Sequence, residues 1–109
     1  MTTLTLNPKY VDILRAFGSL EETVEEAIHR YVVERINERI EKARREILIL
    51  EAKYGMSYQQ FSERVTTDEA FVERLEDTQL TWELDWHTWE YYDEVLAEWL
   101  GRLEKLSTP

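Results

Sequence analysis

Glu83, His87 and Glu90 stand four and three residues apart near the C-terminus. On one helix the three would share a face, a spacing that carboxylate–histidine metal sites use. A helical-bundle di-metal centre needs Glu-x-x-His from two helices plus two further Glu. Only this one cluster occurs, so no metal is expected. The other histidine, His29, falls beside an apolar stripe and reads as a boundary residue rather than a base. There is no Cys and no Gly-rich phosphate loop. Disulfides, thiol catalysis and cysteine zinc sites are therefore excluded. Carboxylates crowd the C-terminal half so densely that no single pair marks an acid–base couple. The chain is read as a non-enzyme with no cofactor.

Those groups must be carried by a chain of 109 residues, enough for one modest core. Three Gly and two Pro leave it little interrupted, and Glu, Arg, Leu, Ile and Ala abound. That composition predicts a mostly α fold. No apolar run approaches the length of a bilayer span, and no signal-peptide pattern opens the sequence, so a cytoplasmic location is expected. The net charge of −10 is lopsided. Residues 1–55 carry nine Lys/Arg against ten Asp/Glu, whereas residues 56–109 carry four against thirteen. The acidic half should repel nucleic acid and attract a basic partner. Such a surface also serves solubility alone.

Along the chain, TTLTL at residues 2–6 alternates apolar and polar, the signature of a short N-terminal strand. It must pair with a second copy or remain an extended tail. Asn7 and Pro8 open a short helix predicted to reach Phe17, and Gly18 ends it. Ser19 with Glu22 forms a capping box for one long helix ending at Gly55, roughly 54 Å of it. Ile36, Ile40, Ala43, Ile47, Leu50 and Tyr54 repeat at 4-3-4-3-4, a coiled-coil-like seam expected to join two copies. Leu20, Val24, Ala27 and Tyr31 form a similar run, out of register with the first. Capping boxes at Ser57/Gln60 and Thr66/Glu69 predict two short helices. A C-terminal aromatic and acidic helix is predicted from about Asp85 to Leu106, with residues 78–84 a loop or extended piece.

The order TLTLNP, then GSLEETVEEAIHRYV, resembles the ribbon-helix-helix (CopG-like) N-terminus of type II toxin–antitoxin antitoxins. The resemblance implies a dimerising strand with Thr3, Thr5 and Asn7 facing bases and Ser19 near phosphate. The wider layout, through EAKYGMSYQQF to an acidic, Trp-rich tail, is also similar to such antitoxins. That implies two regions: residues 1–55 for dimerisation, and residues 56–109 for binding a basic toxin, commonly a ribonuclease. Trp82, Trp86, Trp89, Tyr92 and Trp99 would then anchor the partner, with Asp85, Glu90, Asp93, Glu94 and Glu98 mimicking phosphates. Against this, rings at helical spacing ordinarily build a core. Tyr91 and Trp99 point away from the Trp82–Trp86–Trp89 side, so part of the set should serve a core and part a partner. A helical dimeric scaffold, or a DNA-binding autoregulator working through the strand, are the alternative functions.

Overall fold

The computed structural model describes residues 2–107 and contains five helices. They are α1 (Pro8–Arg15), α2 (Leu20–Tyr54), α3 (Tyr58–Thr67), α4 (Glu69–Thr78) and α5 (Trp82–Ser107). The chain divides into two compact units, Met1–Arg35 and Ile36–Pro109, the division falling inside α2.

The expected N-terminal strand is absent: the described residues contain no strand, and residues 2–7 lie in irregular backbone. A lone strand has no neighbouring backbone to satisfy its N–H and C=O groups, so the TTLTL alternation builds no ladder within the chain. The short N-terminal strand is thus not part of the fold among the described residues. Asn7 caps α1, its side chain accepting from the Lys9 N–H at 3.0 Å, and Pro8 starts the helix. α1 ends at Arg15, short of Phe17, because Gly18 turns the backbone at φ +144°. Ser19 does not form the capping box expected with Glu22; its hydroxyl donates to Glu21 at 3.3 Å. Among the described residues, none before Ile36 is buried.

The second unit holds the core. Leu50, Phe61, Phe71, Leu75, Trp82 and Trp89 form one buried cluster. Ile47, Tyr54, Met56, Tyr58, Val65, Val72 and Trp86 pack around it. Each large side chain so buried stabilises the fold by roughly 1.5–3 kcal/mol. The seam on α2 is thus filled from within the chain. Ile36, Ile40, Ala43 and Leu50 are buried, and Ile47 and Tyr54 lie against the cluster. What covers it is α5, which runs antiparallel to this stretch. Lys53 meets Asp85 at one end, and Arg39 lies over the Trp99 ring at the other. The 4-3 spacing marks an apolar stripe, and the nearest stripe available is the chain's own.

Gly55, at φ +67°, ends α2 and turns the chain back. The Ser57/Gln60 capping box opens α3, with both reciprocal hydrogen bonds made. The Thr66/Glu69 box does not form. α3 continues through Thr67, Thr66 donates to main-chain oxygens of Ser62 and Glu63, and Asp68 caps α4 by accepting from the Phe71 N–H at 3.1 Å. Aspartate is the stronger cap, and placing it there leaves a one-residue corner. The corner sets the Phe61 and Phe71 rings edge to face at 5.8 Å. The stretch expected as a loop, 78–84, is mostly helical: α4 reaches Thr78, α5 begins at Trp82, and residues 79–81 link them.

Candidate partner-binding surface

The α5 helix has an inner and an outer side. Its inner side carries Trp82, Asp85, Trp86, Trp89, Tyr92, Val95, Leu96 and Trp99, all buried or half-buried. Trp89 is fully buried, with Phe61, Tyr58 and Tyr54 ring centroids at 5.4, 5.9 and 6.0 Å. Trp82 is buried at the first turn and stacks on Trp86 at 6.3 Å. These two tryptophans, expected as partner anchors, are core residues instead. An indole offers the largest apolar surface in a small domain, and the core takes it first. Trp86 is half-buried and donates its indole N–H to Ser62 Oγ at 2.9 Å.

Asp85, expected as a phosphate mimic, is also turned inward. It accepts from Lys53 Nζ at 2.6 Å and from the Tyr54 hydroxyl at 2.5 Å. Burial works against its charge, but the hydrogen bonds from Lys53 and Tyr54 and the lysine charge outweigh it. The carboxyl is held below the usual carboxylate range. The Tyr54 phenol is pushed far above its ordinary range, first by burial, then by its hydrogen bond to Asp85 and by that charge. This trio is a structural tie between α2 and α5, with its groups already satisfied.

The outer side is a different surface. Glu83, Glu90, Glu94 and Glu98 are exposed there, with Leu84, His87 and Tyr91 among them, and Asp93 is exposed at the edge of the inner side. Leu84, His87, Tyr91, Glu94 and Glu98 follow a 3-4-3-4 spacing and so form one stripe. Leu84 and Tyr91 keep 67% and 59% of their surface open, high values for large apolar side chains. Leu80, in the linker before α5, is open as well. Of the expected acidic contacts, Glu90, Asp93, Glu94 and Glu98 are thus displayed. Glu98 pairs with Arg102 at 2.5 Å. Of the expected aromatic contacts, Tyr92 is half-buried with its ring against Tyr91 at 5.0 Å. Trp99 is half-buried between Arg39 and Arg102, whose guanidinium carbons lie 5.9 and 4.4 Å from its centroid. These last side chains line a cleft of about 330 Å³ together with Lys42 and Tyr91.

Leu84 and Leu80 were not among the expected contacts. Their signal was present in the helical spacing to Tyr91, but the brighter tryptophan pattern on the opposite side masked it. Glu83, His87 and Glu90 do not assemble a metal site; among the described residues no three His, Cys, Asp or Glu side chains are grouped to hold an ion. The expected DNA contacts are dispersed too. Thr3 and Thr5 lie on backbone with no ladder, Asn7 is spent as a helix cap, and Ser19 bonds Glu21. No helix among the described residues is long and apolar enough to cross a membrane. No family model, no curated protein and no solved structure matches this chain.

Proposed function

We propose that the chain is a non-enzymatic interaction protein that binds a basic protein through the outer side of α5. An antitoxin neutralising a ribonuclease toxin is the form that fits best. The observation that carries the reading is the mixed character of that surface. Four exposed carboxylates, Glu83, Glu90, Glu94 and Glu98, lie along the flank of exposed Leu84 and Tyr91, and Asp93 is exposed further round the helix. Carboxylates steer and register a cationic groove, and the apolar side chains supply the desolvated centre that gives affinity. Residues 56–109 carry nine more acidic than basic side chains, so the long-range field favours the same encounter. A ribonuclease must hold a polyanion, and a groove built for phosphates accepts a row of carboxylates.

The test is growth. The chain is co-expressed with the basic product of the adjacent reading frame, as wild type and as the E90K/D93K/E94K variant. Wild type should restore growth and the variant should not, with both accumulating equally as folded protein. Equal suppression by the variant contradicts the proposal.

A further inference from the structure

The cleft between the middle of α2 and the later turns of α5 has a charge opposite to that of the chain around it. At its base is Ala43, the only small side chain in the seam from Ile36 to Tyr54. Where the neighbouring seam positions carry isoleucine, alanine leaves space that nothing fills. Tyr91, Tyr92 and Trp99 give the cleft flat apolar walls. Its volume of about 330 Å³ lies at the small end of the range for small-molecule sites, roughly 300–1,000 Å³.

Three cations line it, Arg39, Lys42 and Arg102, against a single carboxylate among the described residues, Glu98. The whole chain, by contrast, carries a net charge of −10. Glu98 is already neutralised by Arg102 at 2.5 Å. Among the described residues Arg39 and Lys42 form no salt bridge and no side-chain hydrogen bond, so their donors are unspent. The Arg39 guanidinium rests against the Trp99 ring, 5.9 Å from its centroid, which holds it at the cleft before any ligand arrives. The other carboxylates on these stretches, Glu38, Glu41 and Glu46 on α2 and Glu90, Asp93, Glu94 and Glu104 on α5, do not line the cleft. Their charge opposes an anion at long range, so an anion is held here by direct contact rather than drawn in by the field. A guanidinium presents paired donors that match carboxylate and phosphate oxygens, and ring walls favour a flat partner.

We propose that this cleft binds a small molecule in which a flat ring carries a carboxylate or a phosphate, the anionic group meeting Arg39 and Lys42 and the ring lying against Tyr91 and Tyr92. The cleft shares Tyr91 and Glu98 with the stripe on the outer side of α5 but calls for a ligand of the opposite charge, so this proposal and the basic partner stand or fall separately.

Titration of the full chain with adenosine monophosphate and with 2-naphthoate tests it. The readouts are calorimetry and the indole N–H resonance of Trp99, assigned with W99F. At least one of the two should bind saturably with a Kd below about 1 mM and move the Trp99 signal while leaving that of buried Trp89 in place. Which of them binds tells phosphate from carboxylate. Adenosine, 2-naphthol and inorganic phosphate, each lacking one half of the ligand, should bind at least about tenfold more weakly. R39Q/K42Q changes two exposed side chains, so it should melt with wild type and weaken binding by about tenfold or more. E98Q removes the opposing carboxylate and frees Arg102, and should tighten binding by about threefold. Absence of saturable binding by both probes overturns the proposal, as does full affinity in R39Q/K42Q, weaker binding in E98Q, or an uncharged ring that binds as well as the charged one.

Discussion

Lys53 Nζ lies 2.6 Å from Asp85 Oδ2, joining the last turn of α2 to the first turn of α5. The same carboxylate oxygen accepts the Tyr54 hydroxyl, so one buried-side aspartate fixes how the aromatic helix is seated. Asp85→Asn keeps the shape and removes the charge. Lys53 is about one-third exposed, which screens the pair. We expect a loss of about 1–2 kcal/mol in urea unfolding at pH 7. A variant as stable as wild type would show that the pair contributes nothing.

The same aspartate sets an acid dependence. Its folded pKa lies below the unfolded one, so the stabilisation is complete above the usual carboxylate value of about 3.9. It is lost as pH falls through the lower, folded value. The stability gap between wild type and D85N should be constant above about pH 5 and shrink below about pH 4. A gap unchanged at pH 3 contradicts this. Tyr54 has the opposite sign. Its pKa is raised in the fold, so its contribution is complete below about pH 10 and is lost only as pH rises beyond that. In an alkaline ultraviolet titration, one of the six tyrosines should resist ionisation until the protein unfolds.

Trp89 is fully buried, and its indole N–H has no hydrogen-bond partner among the described residues. An indole so placed emits at short wavelength and is shielded from solutes. Acrylamide should quench a residual blue component least, and W89F should remove that component. Trp89→Ala empties the centre of the aromatic cluster and should cost about 3–5 kcal/mol. Quenching of all four tryptophans to the same extent contradicts the placement.

Ser57 and Gln60 satisfy each other's main-chain N–H groups at the start of α3. Ser57→Ala should cost about 1 kcal/mol, read as a lower urea midpoint at unchanged slope. Thr66→Ala, which the sequence would equally have marked as a cap, should cost less, because Asp68 caps α4. Equal losses would contradict the assignment of caps.

The helices were legible where two local signals agreed. Asn7–Pro8, Ser57/Gln60 and Gly55 each combine a cap or breaker with a change in apolar spacing. The seam from Ile36 to Tyr54 was legible as a stripe but not as to its partner. A 4-3 repeat records that a face is covered, and α5 covers it here. At residues 2–6, alternation over five residues carries no information on whether a neighbouring backbone exists, and no strand forms there. At the surface, the carboxylates Glu90, Asp93, Glu94 and Glu98 were legible because charges do not compete for the core. The tryptophans were not, because core and interface recruit the same ring. Trp82 and Trp89 went inward, and smaller Tyr91 and Leu84 were left outside.

That division decides how function should be probed. Removing residues 80–109 would take Trp82 and Trp89 from the core and unfold the unit, so loss of activity would say nothing about contact. The most direct measurement is a calorimetric titration of the full chain with the basic product of the adjacent reading frame, using wild type and E90K/D93K/E94K at low and moderate salt. Wild type should bind with an affinity that falls as salt rises, and the variant should bind about a hundredfold more weakly while melting at the same temperature. Binding of equal strength by both, or binding indifferent to salt, would contradict a basic partner held on the outer side of α5.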